Sequence, residues 1–225
     1  MDARAAQPKK PTRRDLGDFQ TPPALAAQVV KLLGPIGSRW SRVLEPTCGQ
    51  GAFLSAILAD PSPPRELIGV EIQDAYCDEA RQVAAGTSST RCEVVRANLF
   101  DLDLRSRLTW QTDGPLLVVG NPPWVTSAEL GRLSSNNSPA RRNVKGLAGL
   151  AARTGEANFD LAEAVWLKLI DELADQEPTI ALLCKTATAR AVLEFMDRQN
   201  RPIHDAALHE INASRWFGAA VGACL

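Results

Sequence analysis

Between Arg42 and Cys184 the chain switches repeatedly between short apolar runs and segments whose apolar residues recur at helical spacing. Strand-like runs lie at Arg42–Glu45, Leu67–Ile72, Cys92–Ala97, Leu116–Gly120 and Thr179–Cys184. Helical periodicity marks Ala52–Leu58, Asp74–Ala85 (face Tyr76, Ala80, Val83, Ala84), Asp160–Leu173 (face Trp166, Leu169, Ile170, Leu173) and Ala189–Met196. An earlier helix starts at Thr21, with Pro22 and Pro23 in its first turn and Leu25, Val29, Leu32 and Leu33 on one face, and stops at Gly34 and Pro35. Strands alternating with helices in this way build a mostly parallel sheet with helices on both sides. A sixth strand is expected at Ala207–Ile211 and a seventh from Val221, where the chain soon ends, as though cut within its last strand.

At 225 residues and 45% hydrophobic content the chain can bury one sizeable α/β core and is short for two. Residues 1–17 hold Lys9, Lys10, Arg13 and Arg14 among prolines with little to bury, which predicts a flexible basic tail before a single domain over 18–225. The 25 basic and 26 acidic residues leave a net charge of -1, so any surface for a polyanion is local. Thr126 to Glu156 is one such place: it carries Arg132, Arg141, Arg142, Lys145 and Arg153 against Glu129 and Glu156, and is too long for an ordinary structureless connection. The five cysteines are scattered, without a CxxC pair, which argues against zinc and against a disulfide framework and fits a reducing cytoplasm. No signal peptide and no uninterrupted apolar stretch of membrane-spanning length is present.

Four segments carry chemistry. In Val43-Leu44-Glu45-Pro46-Thr47-Cys48-Gly49-Gln50-Gly51-Ala52-Phe53-Leu54 a buried strand passes through a glycine turn into a helix, and Gly49 and Gly51 permit a close ligand approach at the strand's carboxyl end. Glu71 ends the next strand 20 positions after Gly51, where such sheets hydrogen-bond a ribose diol. Asn98, with Leu99 and Phe100, closes the third strand with a polar side chain and apolar neighbours suited to the edge and face of an adenine. The fourth strand, Leu116–Gly120, runs into Asn121-Pro122-Pro123-Trp124, a loop stiffened by two prolines and ending in a large aromatic.

The first three segments resemble, in order and spacing, motifs I, II and III of the class I S-adenosylmethionine-dependent methyltransferases, whose fold is a Rossmann-like, doubly wound sheet of seven strands. A dinucleotide-binding turn would usually have a third glycine where Leu54 stands. The resemblance implies S-adenosyl-L-methionine as cofactor, held by Glu45, Pro46, Cys48, Gly49, Gly51, Glu71, Ile72, Asn98, Leu99 and Asn121. Asn121-Pro122-Pro123-Trp124 is similar to the NPPY/F/W motif of amino-methyltransferases. There the Asn121 side-chain oxygen and the Pro122 carbonyl would accept the hydrogens of a conjugated amine and favour a pyramidal nitrogen, held rigidly by Pro123, with Trp124 stacked on the substrate base. No side-chain general base is implied.

That motif is shared by enzymes acting on adenine in DNA, on guanine amines of ribosomal RNA and on glutamine of release factors. Asp18-Phe19-Gln20-Thr21-Pro22-Pro23 is similar to motif X of the DNA adenine methyltransferases of restriction-modification systems, which would bring Phe19 and Thr21 to the cofactor. Asn158-Phe159-Asp160-Leu161 resembles motif V, and Arg215-Trp216-Phe217-Gly218 resembles motif VIII, in which Phe217 would face a flipped adenine opposite Trp124; simple burial of Trp216 and Phe217 at a sheet end is the alternative. Asn98 departs from the more usual acidic residue, although its carbonyl can still meet an adenine amine. No target-recognition domain follows, and reading base edges in a groove needs one, so it would belong C-terminally to a longer protein. The expectation is methyl transfer to a flipped adenine of duplex DNA, with a specificity or restriction subunit or domain as possible partner. The alternatives are an RNA or protein (glutamine) amino-methyltransferase, or a cofactor-binding subunit that depends on a partner for catalysis.

Overall fold

The computed structural model describes residues 20–86, 89–126, 160–201 and 203–225. Pro22 caps the first helix, α1 (Pro23–Leu33), and Pro23 occupies its first turn, where a missing N–H leaves no hydrogen bond unmade. Leu25, Ala26, Val29 and Val30 are buried, whereas Leu32, expected on the inner face, is 53% exposed. At roughly 100° per residue the buried stripe centres near Val29 and Leu33, which leaves Leu32 on its margin.

A one-turn helix, α2 (Ile36–Arg39), leads into β1 (Arg42–Glu45), α3 (Ala52–Leu58), β2 (Glu66–Glu71), α4 (Asp74–Ala85), β3 (Arg91–Arg96), α5 (Leu104–Arg107) and β4 (Leu116–Gly120). After the undescribed segment come α6 (Leu161–Glu172), β5 (Thr179–Leu182), β6 (Cys184–Lys185), α7 (Thr186–Arg198), β7 (Glu210–Ile211), α8 (Ala213–Phe217) and β8 (Ala223–Cys224). The central sheet is parallel in the order β3-β2-β1-β4-β5. Every residue of β2 and β4 is buried, as continuous apolar runs require of strands covered on both sides.

Alternate residues feed two cores. Val43, Leu67, Leu117 and Val119 pack with Leu25 and Val29 of α1, Phe53, Leu54 and Ile57 of α3 and Ala80 of α4. Leu44, Ile68, Val70, Leu116 and Val118 pack with Leu104 of α5 and Leu161, Val165 and Leu169 of α6. The sheet is therefore doubly wound.

The sixth and seventh strands form, but as two-residue pieces. β5 continues past Leu183 into β6, with the Leu183 N–H donating to the Gly120 carbonyl at 2.9 Å. β8 lies between β6 and β7, antiparallel to both. The helix expected at Ala189–Met196 begins at Thr186, directly after β6. On α6 the expected face is only part of what is covered: its first turn is buried all round, including Glu163, while Trp166 and Ile170 are half-buried against Val192, Phe195 and Met196 of α7. A helix packed on both a sheet and a second helix has no single apolar stripe, so periodicity under-reads it. Among the described residues no helix is long and apolar enough to cross a membrane.

Candidate active site

β1 pairs with β2 on one side and β4 on the other. The chain leaves β1 for α3 on one face of the sheet, and after β4 it reaches α6 on the other. Such a reversal opens a crevice at the carboxyl ends of the strands, the usual ligand position in open α/β sheets.

The Cys48 N–H donates to the Val70 carbonyl at 2.8 Å, and the Gly51 N–H to the Cys48 carbonyl at 2.8 Å, closing the turn into α3. Gly51 has φ 87°, and a Cβ there would lie 3.2 Å from the Ala80 Cα, so torsion and close helix packing both call for glycine. Glu71, 8% exposed, ties this turn to the tip of β2: one carboxylate oxygen accepts the Gly49 N–H at 2.9 Å, and the other accepts those of Ile72 and Gln73, each at 2.8 Å. The expected ribose carboxylate is thus held against the glycine turn by backbone donors. Gln20, which was not among the expected site residues, lies over the same turn. Its side-chain oxygen accepts the Gln50 N–H at 3.1 Å, and a Cβ on Gly49 would meet that oxygen at 2.5 Å. Its place just before Thr21-Pro22-Pro23 was the available signal. Thr21 follows it into α1, and Phe19 lies outside the described residues.

Glu45, the last residue of β1, is 2% exposed. Burial pushes its carboxyl well above the usual carboxylate range, a backbone hydrogen bond at Leu54 lowers it, and the Glu71 charge raises it further. One of its oxygens and the Thr47 hydroxyl are buried and find no hydrogen-bond partner among the described residues. Two orphaned polar atoms in one strand-end loop ask for a polar, cationic ligand, and they fit the sulfonium and ammonium groups of the implied cofactor. Cys48 contributes its backbone to the turn, but its thiol is buried beneath it. A Cβ on Gly69 would lie 3.0 Å from that sulfur, and burial pushes the thiol far up, keeping it inert.

At the end of β3, the Asn98 side-chain oxygen accepts the Phe100 N–H at 3.1 Å, and its amide donates to Asp101 at 3.1 Å. The carboxamide expected to read an adenine thus also shapes its own turn. Leu99 is buried with Phe100, Leu102 and Leu104 on the α6 side.

β4 delivers Asn121-Pro122-Pro123-Trp124 to the same crevice. A Cβ on Gly120 would lie 3.3 Å from the Pro46 ring, so glycine lets the two strand-end loops touch. Asn121 is half-buried, and Pro122 and Trp124 are buried. The Trp124 indole N–H donates to the Leu183 carbonyl at 3.1 Å. Trp124 and Phe217 do meet, but edge to face, with ring centroids 4.9 Å apart and planes at 68°. At that spacing the two rings pack directly on each other, so the expected sandwich requires them to part. Phe217 ends α8, whose first turn is capped by Asn212, accepting the Arg215 N–H at 2.9 Å. Of the motif V segment, Asn158 and Phe159 lie outside the described residues. Asp160 caps α6 by accepting the Ala162 N–H at 2.9 Å.

No family model matches the chain. It is 31% identical over 214 residues, 95% of its length, to the type II methyltransferase M.NspV of Nostoc sp., of which it spans 44%. It is also 31% identical over 119 residues, 52% of its length, to ribosomal RNA small subunit methyltransferase A of Cereibacter sphaeroides, of which these residues are 40%. The chain thus spans less than half the length of either relative. Among solved structures, a class I S-adenosylmethionine-dependent methyltransferase from Listeria monocytogenes superposes with a TM-score of 0.62 at 14% identity, over 93% of this chain and 60% of that one. The chain therefore has the class I S-adenosylmethionine-dependent methyltransferase fold and resembles, over nearly all its length, a type II methyltransferase.

Proposed function

We propose that this domain transfers a methyl group from S-adenosyl-L-methionine to the exocyclic amine of an adenine extruded from duplex DNA. The observation that carries this reading is the position of Asn121-Pro122-Pro123-Trp124 at the end of β4, against the Glu45-Pro46 loop through the Gly120–Pro46 approach. When bound, S-adenosyl-L-methionine supplies an electrophilic methyl on a sulfonium. The chain's own residues do the rest. Glu71 and the Gly49 turn would hold the ribose, Glu45 and Thr47 the cationic end, Asn98 and Leu99 the adenine ring, and Gln20 and Thr21 would lie beside the methionine portion. The Asn121 side-chain oxygen and the Pro122 carbonyl would accept hydrogen bonds from the two amine N–H groups and orient the nitrogen lone pair; the C–S bond breaks as the C–N bond forms, and the surplus amine proton leaves after transfer. Two prolines keep these acceptors in place, so little reorganisation accompanies transfer.

The similarity to M.NspV over 95% of the chain supports DNA as the substrate. Ribosomal RNA is the second reading, favoured by the shorter similarity to methyltransferase A. Offering tritiated cofactor with duplex DNA, ribosomal RNA and release factor in separate reactions decides between them: label on DNA adenine is expected, and label on RNA or protein alone overturns the DNA reading. Asn121→Ala is expected to lower transfer at least 100-fold while calorimetric cofactor affinity changes less than threefold. Full activity of that variant would sink the proposed mechanism.

A further inference from the structure

The four residues that present the amine acceptors are fastened at both ends to the extension of β5. Before them, the Gly120 carbonyl accepts the Leu183 N–H at 2.9 Å. At their end, the Trp124 indole N–H donates to the Leu183 carbonyl at 3.1 Å. Just beyond, the Val125 carbonyl accepts the Leu161 N–H at 2.8 Å, and Thr126 bridges to Asp160. One Asp160 carboxylate oxygen then accepts from the Lys185 ammonium at 2.9 Å and the Thr188 hydroxyl at 3.3 Å. Lys185 is the second residue after Leu183 on the same strand extension, so these contacts close a ring around residues 120–126.

The Asp160–Lys185 pair is well shielded, with side-chain exposures of 13% and 27%. The exposed Arg201–Asp171 pair, at 46% and 47%, is of the kind that contributes little. Removing one member of a shielded pair strands the other's charge.

We infer that Asp160 and Lys185 are positioning residues, whose ion pair locks residues 121–124 where their acceptors meet the amine. This deepens the methyl-transfer reading and rests on it. Neither residue belongs to the 121–124 segment that carries the amine acceptors, so both act through the loop, and a small displacement of preorganised groups can cost about 100-fold in rate.

The test uses the whole chain with Asp160→Asn, Lys185→Met, the double variant and Lys185→Arg. Asparagine remains a good helix cap, so Asp160→Asn removes the charge and leaves α6 started. Each single variant is expected to lower kcat about 10- to 100-fold with cofactor affinity within twofold of the parent. The double variant should be no worse than either single one, as one shared interaction demands. Lys185→Arg should recover most of the rate, and Arg201→Met, breaking the exposed pair, should leave it unchanged.

A second readout needs no substrate: hydrogen exchange of the Trp124 indole N–H, expected to quicken about tenfold in Asp160→Asn and Lys185→Met. Retained kcat in both single variants, or unchanged exchange at Trp124, overturns the proposal. If the parent chain labels no polymer, the amine-transfer reading fails, and the exchange measurement still decides whether the lock exists. If Lys185→Met does not fold, Asp160→Asn and Lys185→Arg carry the test.

Discussion

Glu45 shows how one residue can couple fold and ligand. Its carboxyl is raised mainly by burial, then by the nearby Glu71, so the folded chain favours the protonated form more than the unfolded chain does. A group raised in this way contributes stability that is present at low pH and lost as pH rises through its folded value. The melting temperature of the free protein is thus expected to fall as pH rises above the ordinary carboxylate range, and to fall less in Glu45→Gln. A cationic ligand reverses the preference. Cofactor affinity should rise with pH in the parent, and be flat and about tenfold weaker in Glu45→Gln. Calorimetric titrations across the same range check both slopes, and parallel behaviour of parent and variant would remove Glu45 from the cofactor's cationic end.

Among elements, those whose geometry the backbone dictates were the most legible. The glycine turn between β1 and α3, the acid ending β2 and the double proline after β4 each follow from torsions or strand-end position, and each lies where residue type and spacing put it. What spacing does not encode is where a side chain goes once the layers close. Cys48 turns beneath its loop, Asn98 is shared with its own turn, and Gln20 reaches the β1 loop from α1's entry. β6, β7 and β8 are two residues each, too short for periodicity to fix their bounds.

The helix α8 is the element with most at stake, because it sets Phe217 against Trp124. A base entering between them must first part the two rings. Phe217→Ala is therefore expected to leave cofactor affinity unchanged and weaken DNA binding by roughly tenfold or more, the usual scale for one aromatic stacking partner. Asn212→Ala, which removes the cap of α8, should cost about 1 kcal/mol of stability. Thermal melts and binding titrations separate the two effects: Phe217→Ala binding DNA as the parent does would assign Phe217 to the core alone.

The charge of the whole molecule is unevenly shared. Residues 1–19 and 127–159 together hold ten of the 25 basic and five of the 26 acidic residues, which leaves the rest of the chain 15 basic against 21 acidic, a net charge of -6. A net charge of that sign repels a polyanion, so on the proposed DNA reading phosphate contacts are expected mainly from the two basic segments. Each phosphate neutralised on duplex DNA contributes about 0.9 to the slope of log affinity against log salt concentration. Replacing Arg141 and Arg142 together by alanine is expected to reduce that slope by up to about 1.8 and weaken DNA binding, with cofactor affinity unchanged. Removing residues 1–17, which include Lys9, Lys10, Arg13 and Arg14, should have a comparable, separate effect. If both changes leave the slope untouched, DNA meets the rest of the chain instead, and a locally basic face there would have to outweigh its overall negative charge.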